Sequence, residues 1–458
     1  MKEAKITNKP SIQKVGVVFA VAMVLIQGCI PMNFISFAYT DLAYIPIGLT
    51  ATSNVIVTII GWIAALTIGA FISKSHSKFG QCRPFMLAGY LVLVVGSAIM
   101  FGAGVGGSVV MKTIIITIGF ALNTVGNSIM LAAAYGLERI IGGSDSDART
   151  LISSRFFLGL SGGLVLNGLV VIPLAEALGG GVKGYTLMQI ILGIVGFAGM
   201  MMIMKVSKTF DTPQAVIEDE EEVKFIEMIK SAVVNRPAIT LLIADTVRMT
   251  GYCTFIALIV YQCKYVIGDM NSMIIVLTAA NVAAMFGSYA AFPISLALGG
   301  RKKTVILGCA CVVVTYVAVG MFGSSLWGFV IPACIGAFFM SFFDCIAPML
   351  YADAGEYWLH EKKRDTRVYL TSLAAVPMQL AMIISSVAFT GVLYVIKYVP
   401  DQPMDAAMEN TLTWAVGLFP AICYGIALLL LAFVHGVSDK DIARFCIENE
   451  TITEDSLR

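Results

Sequence analysis

Twelve apolar runs, each near the length that crosses a bilayer, decide what this chain can fold into. They fall at roughly 15–38, 45–72, 84–105, 109–135, 152–178, 185–206, 238–263, 270–297, 303–323, 325–350, 368–396 and 411–435. A helix of about 20 residues covers the hydrocarbon core. No long alternating pattern points to a barrel, and continuous apolarity satisfies the backbone best as helix. With 58% apolar and 13% charged residues among 458, the composition exceeds what a soluble domain carries. A net charge of +1 leaves no nucleic-acid footprint. The run Val15–Ala38 is too long for a signal-peptide core and lacks a small-residue cleavage site, so it reads as a retained first helix. The ten cysteines are scattered without metal-ligand spacing and read as small buried residues.

Basic residues set the expected orientation. The N-terminus, the loops after spans 2, 4, 6, 8 and 10, and the C-terminal tail, with the adjoining span ends, hold 25 of the 30 Lys and Arg. The opposite side has Lys112, Lys183, Lys264 and Lys397, and Arg248 lies inside a span. Both termini are therefore expected in the cytoplasm. The expected division is a first bundle at 1–206, a linker at 207–237, a second bundle at 238–437 and a tail at 438–458. The linker holds an acid run, Glu218–Glu222, read as a solvated face, and then an amphipathic stretch, Val223–Val234.

Two echoes indicate a duplicated unit. The loop Ser73–Pro84 carries Lys74, Lys78 and Arg83 with no acid, and Gly299–Lys303 (GGRKK) follows about 219 residues later. Asp147–Ser154 (DARTLISS) recurs as Asp365–Ser372 (DTRVYLTS) at an offset of 218, opening spans 5 and 11. Equivalent positions with the same orientation imply parallel repeats about an axis along the membrane normal, the major facilitator arrangement.

Four stretches carry a family resemblance: Tyr39-Thr40-Asp41 at the close of span 1; Lys78–Phe85 (KFGQCRPF); Asp147–Phe157 (DARTLISSRFF); and Asp353–Tyr357 (DAGEY) after span 10. With these the chain resembles the glycoside–pentoside–hexuronide:cation symporters, the melibiose-permease branch of the major facilitators. The resemblance implies twelve helices in two six-helix bundles, with one substrate site between them opened alternately to each side. It also implies a sugar or glycoside substrate and a coupling cation, H⁺ or Na⁺.

The departures from that family bear on coupling. Its two cation-binding aspartates in span 2 match Gly61 and Ala65, which offer no side-chain oxygen, whereas a hard cation needs several. A basic residue nearby becomes Thr58. The sugar-binding acid of span 1 becomes Leu25, its span 4 partner falls near Met130, and the span 11 lysine matches Pro377. Arg155 matches the span 5 arginine.

An ionisable residue inside the membrane is a functional candidate by default. Asp245 and Arg248, three apart, share one face of span 7, and Tyr252 continues it. One reading places this group on the cavity, where Arg248 forks hydroxyls or a carboxylate and the ring stacks on a sugar. The other is a self-neutralising pair that pins span 7 to a neighbour. Arg155 reaches the substrate or anchors to headgroups. Asp344, assigned to the cytoplasmic half of span 10, is with Asp245 a candidate proton carrier or an inter-helix hydrogen-bond partner. Among the amides inside spans, Asn54, Asn127 and Gln379 are candidate substrate contacts, with helix-to-helix glue the alternative; Asn123, Asn167 and Asn281 fit glue.

Asp41, Arg83, Arg149, Asp353, Glu356 and Arg367 sit at span ends and resemble the family's gate and loop charge networks; solvated charge is the alternative. No Walker loop appears, so ATP-driven transport by this chain is not expected. His76, His360 and His435 lie at loops or span ends with no nucleophile or metal constellation, so neither an enzyme nor a metal site is expected. The leading expectation is a monomeric secondary transporter of a sugar or glycoside in the cytoplasmic membrane, without a cofactor other than the cation. Two alternatives stay open: a carrier of less polar or amphiphilic molecules, and a non-transporting sensor derived from the fold.

Overall fold

A membrane helix must satisfy its own backbone, so the apolar runs fold into helices long enough to span. The structure is a computed structural model that describes residues 24, 38–39, 43–75, 77–102, 107–142, 146–211, 225–269, 272–396 and 404–456. Span 1 apart from Val24 and Ala38, with Asp41 and the acid run Glu218–Glu222, lies outside the described residues. Eleven helices among the described residues are long and apolar enough to cross a membrane. The chain divides into two compact units, Met1–Ile60 with Ile68–Glu222, and Gly61–Thr67 with Val223–Arg458.

The first unit holds α1 (Ile47–Ser73, apart from its stretch Gly61–Thr67), α2 (Arg83–Gly102), α3 (Val109–Gly142), α4 (Ser146–Ala177) and α5 (Gly181–Val206). Glycine draws α2 and α3 together. A Cβ on Gly89 would stand 2.7 Å from the Met130 nitrogen, and one on Gly119 the same distance from the Met100 nitrogen. Such close approach is how membrane helices associate, since lipid gives no hydrophobic drive. Asn123 Nδ2 donates to Ser97 Oγ at 2.7 Å across the same seam, the inter-helix role read from sequence. Tyr90 donates to the Gly193 carbonyl at 2.7 Å and ties α2 to α5.

The second unit holds a short α6 (Phe225–Val233), α7 (Arg236–Tyr261), α8 (Ser272–Leu298), α9 (Arg301–Phe322), α10 (Leu326–Lys362), α11 (Arg367–Ser372), α12 (Val376–Val395), α13 (Ala406–Leu429) and α14 (Asp439–Ser456). α7 packs on α10, α12 and α13, and α10 also packs on α8, α9 and α14. Gln262 cross-links the far end of α7, donating to the Gly323 carbonyl at 2.9 Å and to Thr413 Oγ1 at 3.1 Å.

Two helices outrun their apolar runs. α3 continues to Gly142 and α10 to Lys362. Asp353 and Glu356, expected beyond span 10, therefore lie on α10 itself. Asp344 is the nineteenth of 37 residues in that helix, at its midpoint rather than toward one end. The tail, read only as an extension, forms α14 and packs against α10.

Candidate functional site

Asp245 and Arg248 lie one helical turn apart on α7, where their side chains meet along one face. The guanidinium does not stand free. Nε donates to Asp245 Oδ1 at 2.8 Å, Nη2 lies 2.7 Å from the same oxygen, and Nη1 reaches Asp344 Oδ1 on α10 at 2.6 Å. Its face rests on the Phe343 ring, 4.0 Å from the centroid. One cation thus serves two carboxylates, and the triad pins α7 to α10.

The three charges are unequally placed. Side-chain exposure is 2% for Arg248 and 3% for Asp245 but 19% for Asp344. Asp344 is the member that reaches an accessible surface. Tyrosines complete the surround: Tyr351 on α10 lies beside Asp245, and Tyr424 on α13 beside Arg248. Tyr424 stacks on Tyr316 of α9, with centroids 6.2 Å apart. Tyr252 and Gln379 are both half-buried, on α7 and in the first turn of α12.

A second polar group gathers at the basic ends of α9 to α11. Arg301 and Asp353 form a buried pair at 2.8 Å. Arg367 lies 3.4 Å from Glu356 and 2.6 Å from Asp365. Gly355 is required here, since a Cβ would stand 2.8 Å from Arg367 Cα. From α14, Asn449 donates to the Glu356 carbonyl at 2.9 Å and to its carboxylate at 3.1 Å. His360 stacks on Phe445 with centroids 4.4 Å apart. The structure thus brings Asp353, Glu356 and Arg367 into one region, together with Arg301 and α14, neither of which the sequence pattern assigns to it.

In the first unit, the basic loop between α1 and α2 finds its acid in Asp211, just past α5. Its carboxylate accepts from the backbone nitrogens of Gln81, Cys82 and Arg83 at 2.8, 3.0 and 2.9 Å. Burial, with Asp211 adding, pushes the Cys82 thiol up. Arg83 itself turns away, donating to the Phe79 carbonyl at 3.0 Å. Arg149 is buried and Arg155 half-buried on α4. Glu138, fully enclosed on α3 beside Ser153, was not singled out from sequence. The 218-residue offset that relates Arg149 to Arg367 also carries Glu138 onto Glu356 and Arg83 onto Arg301, and would have found it. Asn54 and Asn127 are half-buried on α1 and α3, and the Asn54 side-chain oxygen is enclosed without a hydrogen-bond partner among the described residues.

Among the described residues, no three His, Cys, Asp or Glu side chains cluster as a metal would need. Gly61 and Ala65 are both buried on α1. What the second unit offers instead is a buried charged triad whose Asp344 reaches an accessible surface and can hydrogen-bond a polar solute.

The comparisons with known proteins agree with this reading of the fold. A family model described as MFS/sugar transport protein matches residues 17–435, and the chain belongs to that family. It is 23% identical over 422 residues to the uncharacterized symporter YjmB of Bacillus subtilis, across 89% of this chain and 88% of that protein. It is 22% identical over 388 residues to a putative sulfoquinovose importer of Escherichia coli, across 83% and 80% of the two chains. The crystal structure of FucP in its outward conformation superposes with a TM-score of 0.65 at 11% identity, across 93% of this chain and all of that one. The protein is a major facilitator, a multi-pass secondary transporter of sugars or glycosides, and not an enzyme.

Proposed function

We propose that this protein carries a neutral sugar or glycoside across the cytoplasmic membrane by alternating access, as a monomer with both termini in the cytoplasm. In this reading the bundles are 1–206 and 238–437, joined by a cytoplasmic linker at 207–237 and followed by the tail at 438–458. The observation that carries the substrate class is the charge of the triad. Within the triad Arg248 is already matched by two carboxylates, which favours hydroxyls over an anionic group at that point of the site. Hydroxyls suit such a site because they donate to Asp344 and accept from Arg248. Tyr252 and Gln379 in the second unit, and Asn54, Asn127 and Arg155 in the first, are the further substrate contacts. The enclosed oxygen of Asn54, without a hydrogen-bond partner among the described residues, supports its place among them. The buried pair of Arg301 with Asp353 and the half-buried pair of Arg367 with Glu356, together with Arg83 and Arg149, act as the gate network, made on closing and broken on opening.

The test is thermal unfolding of the purified protein with isoprimeverose, melibiose, methyl β-glucuronide, sulfoquinovose and an alkyl glycoside, each in Na⁺ and in choline buffer. A ligand held by the folded state adds about 2.7 kcal/mol at a hundredfold excess over its Kd. Neutral sugars are expected to stabilise the protein equally in both buffers. Stabilisation by the anionic sugars alone, or by the amphiphile alone, contradicts the neutral-sugar assignment. A shift that needs Na⁺ contradicts the reading of Gly61 and Ala65.

A further inference from the structure

We propose that Asn449, on the tail helix α14, is a positioning residue for the gate: it keeps hold of the Glu356 carboxylate when Arg367 leaves it, and so lets the gate open. This rests on the gate network proposed above and adds the part that the tail plays in it.

The pair of Arg367 with Glu356 is uneven. Arg367 Nη1 stands 3.4 Å from Glu356 Oε2, long for a charge-assisted bond. The same guanidinium is forked closely onto Asp365. Its Nη2 donates to Oδ2 at 2.6 Å, and Nε donates to the two oxygens at 2.9 and 3.0 Å. Side-chain exposure is 52% for Asp365 and 2% for Glu356. Arg367 can therefore leave Glu356 and keep a carboxylate partner that is in contact with water. Glu356 has no such recourse to water. A buried carboxylate that loses a donor bears the full cost, and that cost falls on the open gate.

Asn449 supplies a donor that stays. Its Nδ2 donates to the Glu356 backbone carbonyl at 2.9 Å and to Oε2, the oxygen that Arg367 also touches, at 3.1 Å. One of these bonds ends on the backbone of α10, so the amide travels with that helix whatever Arg367 does. α14 is itself fixed on either side of the previous turn. Phe445 stacks on His360 and packs on Tyr357 of α10. Asp439, the first residue of α14, accepts from the Lys302 backbone nitrogen of α9 at 3.3 Å. A neutral amide suits the task, since it answers the charge of Glu356 only in part and leaves Arg367 able to return. A contact shifts a conformational equilibrium only by its difference between the two states. Of these two donors, the closed gate has both and the open gate has Asn449 alone. Losing the amide thus weighs on the open gate and draws Arg367 from Asp365 onto Glu356.

The test is hydrogen exchange of the full-length protein in mild detergent, without sugar, in wild type, Asn449→Leu, Asn449→Gln and Arg367→Gln. A merely structural role would loosen everything nearby, so that α14 and the segment 364–372 both exchange faster in Asn449→Leu. The positioning role predicts opposite signs. α14 exchanges faster, while 364–372 exchanges about tenfold slower because the gate opens less, the equivalent of about 1.4 kcal/mol. Asn449→Gln keeps an amide and is expected to move both segments back toward wild type. Exchange at 364–372 that is unchanged or faster in Asn449→Leu overturns the proposal, as does Asn449→Gln matching Asn449→Leu in both segments. Where Asn449→Leu does not fold, Asn449→Ser, too short to reach the carboxylate, takes its place with the same two signs expected. Arg367→Gln separates the proposal from the reading beneath it. If it leaves 364–372 at the wild-type rate, the gate reading fails and the proposal with it. If it speeds that segment while Asn449→Leu does not slow it, the proposal alone is overturned.

Discussion

Removing the Asp211 carboxylate should loosen the whole α1–α2 connection. Three backbone N–H groups end on this one side chain, those of Gln81, Cys82 and Arg83. The first two residues are buried, so water does not replace the lost acceptor. Each orphaned buried donor costs about 1–3 kcal/mol, and the negative charge at the start of α2 contributes a further few tenths to about 1 kcal/mol. Asp211→Ala should therefore cost about 3–5 kcal/mol in total, since Arg83 is less enclosed. Asp211→Asn keeps one acceptor oxygen and should cost about 1–2 kcal/mol. At roughly 2–4 °C per kcal/mol for a unit of this size, the alanine variant should melt roughly 6–20 °C below wild type in mild detergent. Gly80 tests the same contact from the other side. Its φ of +102° disfavours any side chain, and a Cβ would meet the Asp211 carboxyl carbon at 2.5 Å. Gly80→Ala should fall in the same range as Asp211→Ala, and the two losses should not add. An alanine variant that melts within about 2 °C of wild type refutes the argument.

Other outcomes follow from named contacts. Arg301→Met breaks the buried ion pair with Asp353 and should cost about 3–5 kcal/mol, most of it recovered in the double variant with Asp353→Leu; thermal unfolding of the three proteins checks this. Asn449→Leu removes both bonds to Glu356 and should lower stability by about 1–3 kcal/mol, with α14 exchanging its amides faster in hydrogen-exchange measurements. His435 lies just past the last span, where burial, with Lys302 adding, pushes its imidazole down to about 4. The unfolded chain takes up this proton near the ordinary value of about 6.5, so stability is full above that value and is lost as pH falls toward 4. At about pH 5 the loss should be about 2 kcal/mol, and His435→Gln should flatten that part of the melting profile. A variant with the wild-type slope contradicts the assignment.

Spans were legible in the sequence because a helix buried in lipid needs no periodic pattern, only unbroken apolarity. Their ends were not. Hydropathy treats Glu138, Asp353 and Glu356 as the end of a span, yet these acids are enclosed by the protein, and two of them are paired, so α3 and α10 run on. Asp245 and Arg248 stood out because their partner lay three residues away. Asp344 joins them from 96 positions further along, and no local rule connects such residues. α14 was hidden for a related reason: acids, amides and hydroxyls dominate its sequence, and its Phe445 packs on Tyr357 and His360 of α10, far off in the chain. Asp211 is a single acid in a short connection, indistinguishable by type from solvated charge until the three amides that it caps come into view.

The central claim is that a neutral sugar passes through this protein. Counterflow into proteoliposomes tests it without any driving gradient: vesicles loaded with unlabelled isoprimeverose or melibiose are diluted into a trace of the labelled sugar. The account predicts a transient overshoot of label that is the same in Na⁺ and in choline buffer and is absent from protein-free vesicles. Label that never exceeds the protein-free level, for every neutral sugar offered, contradicts it.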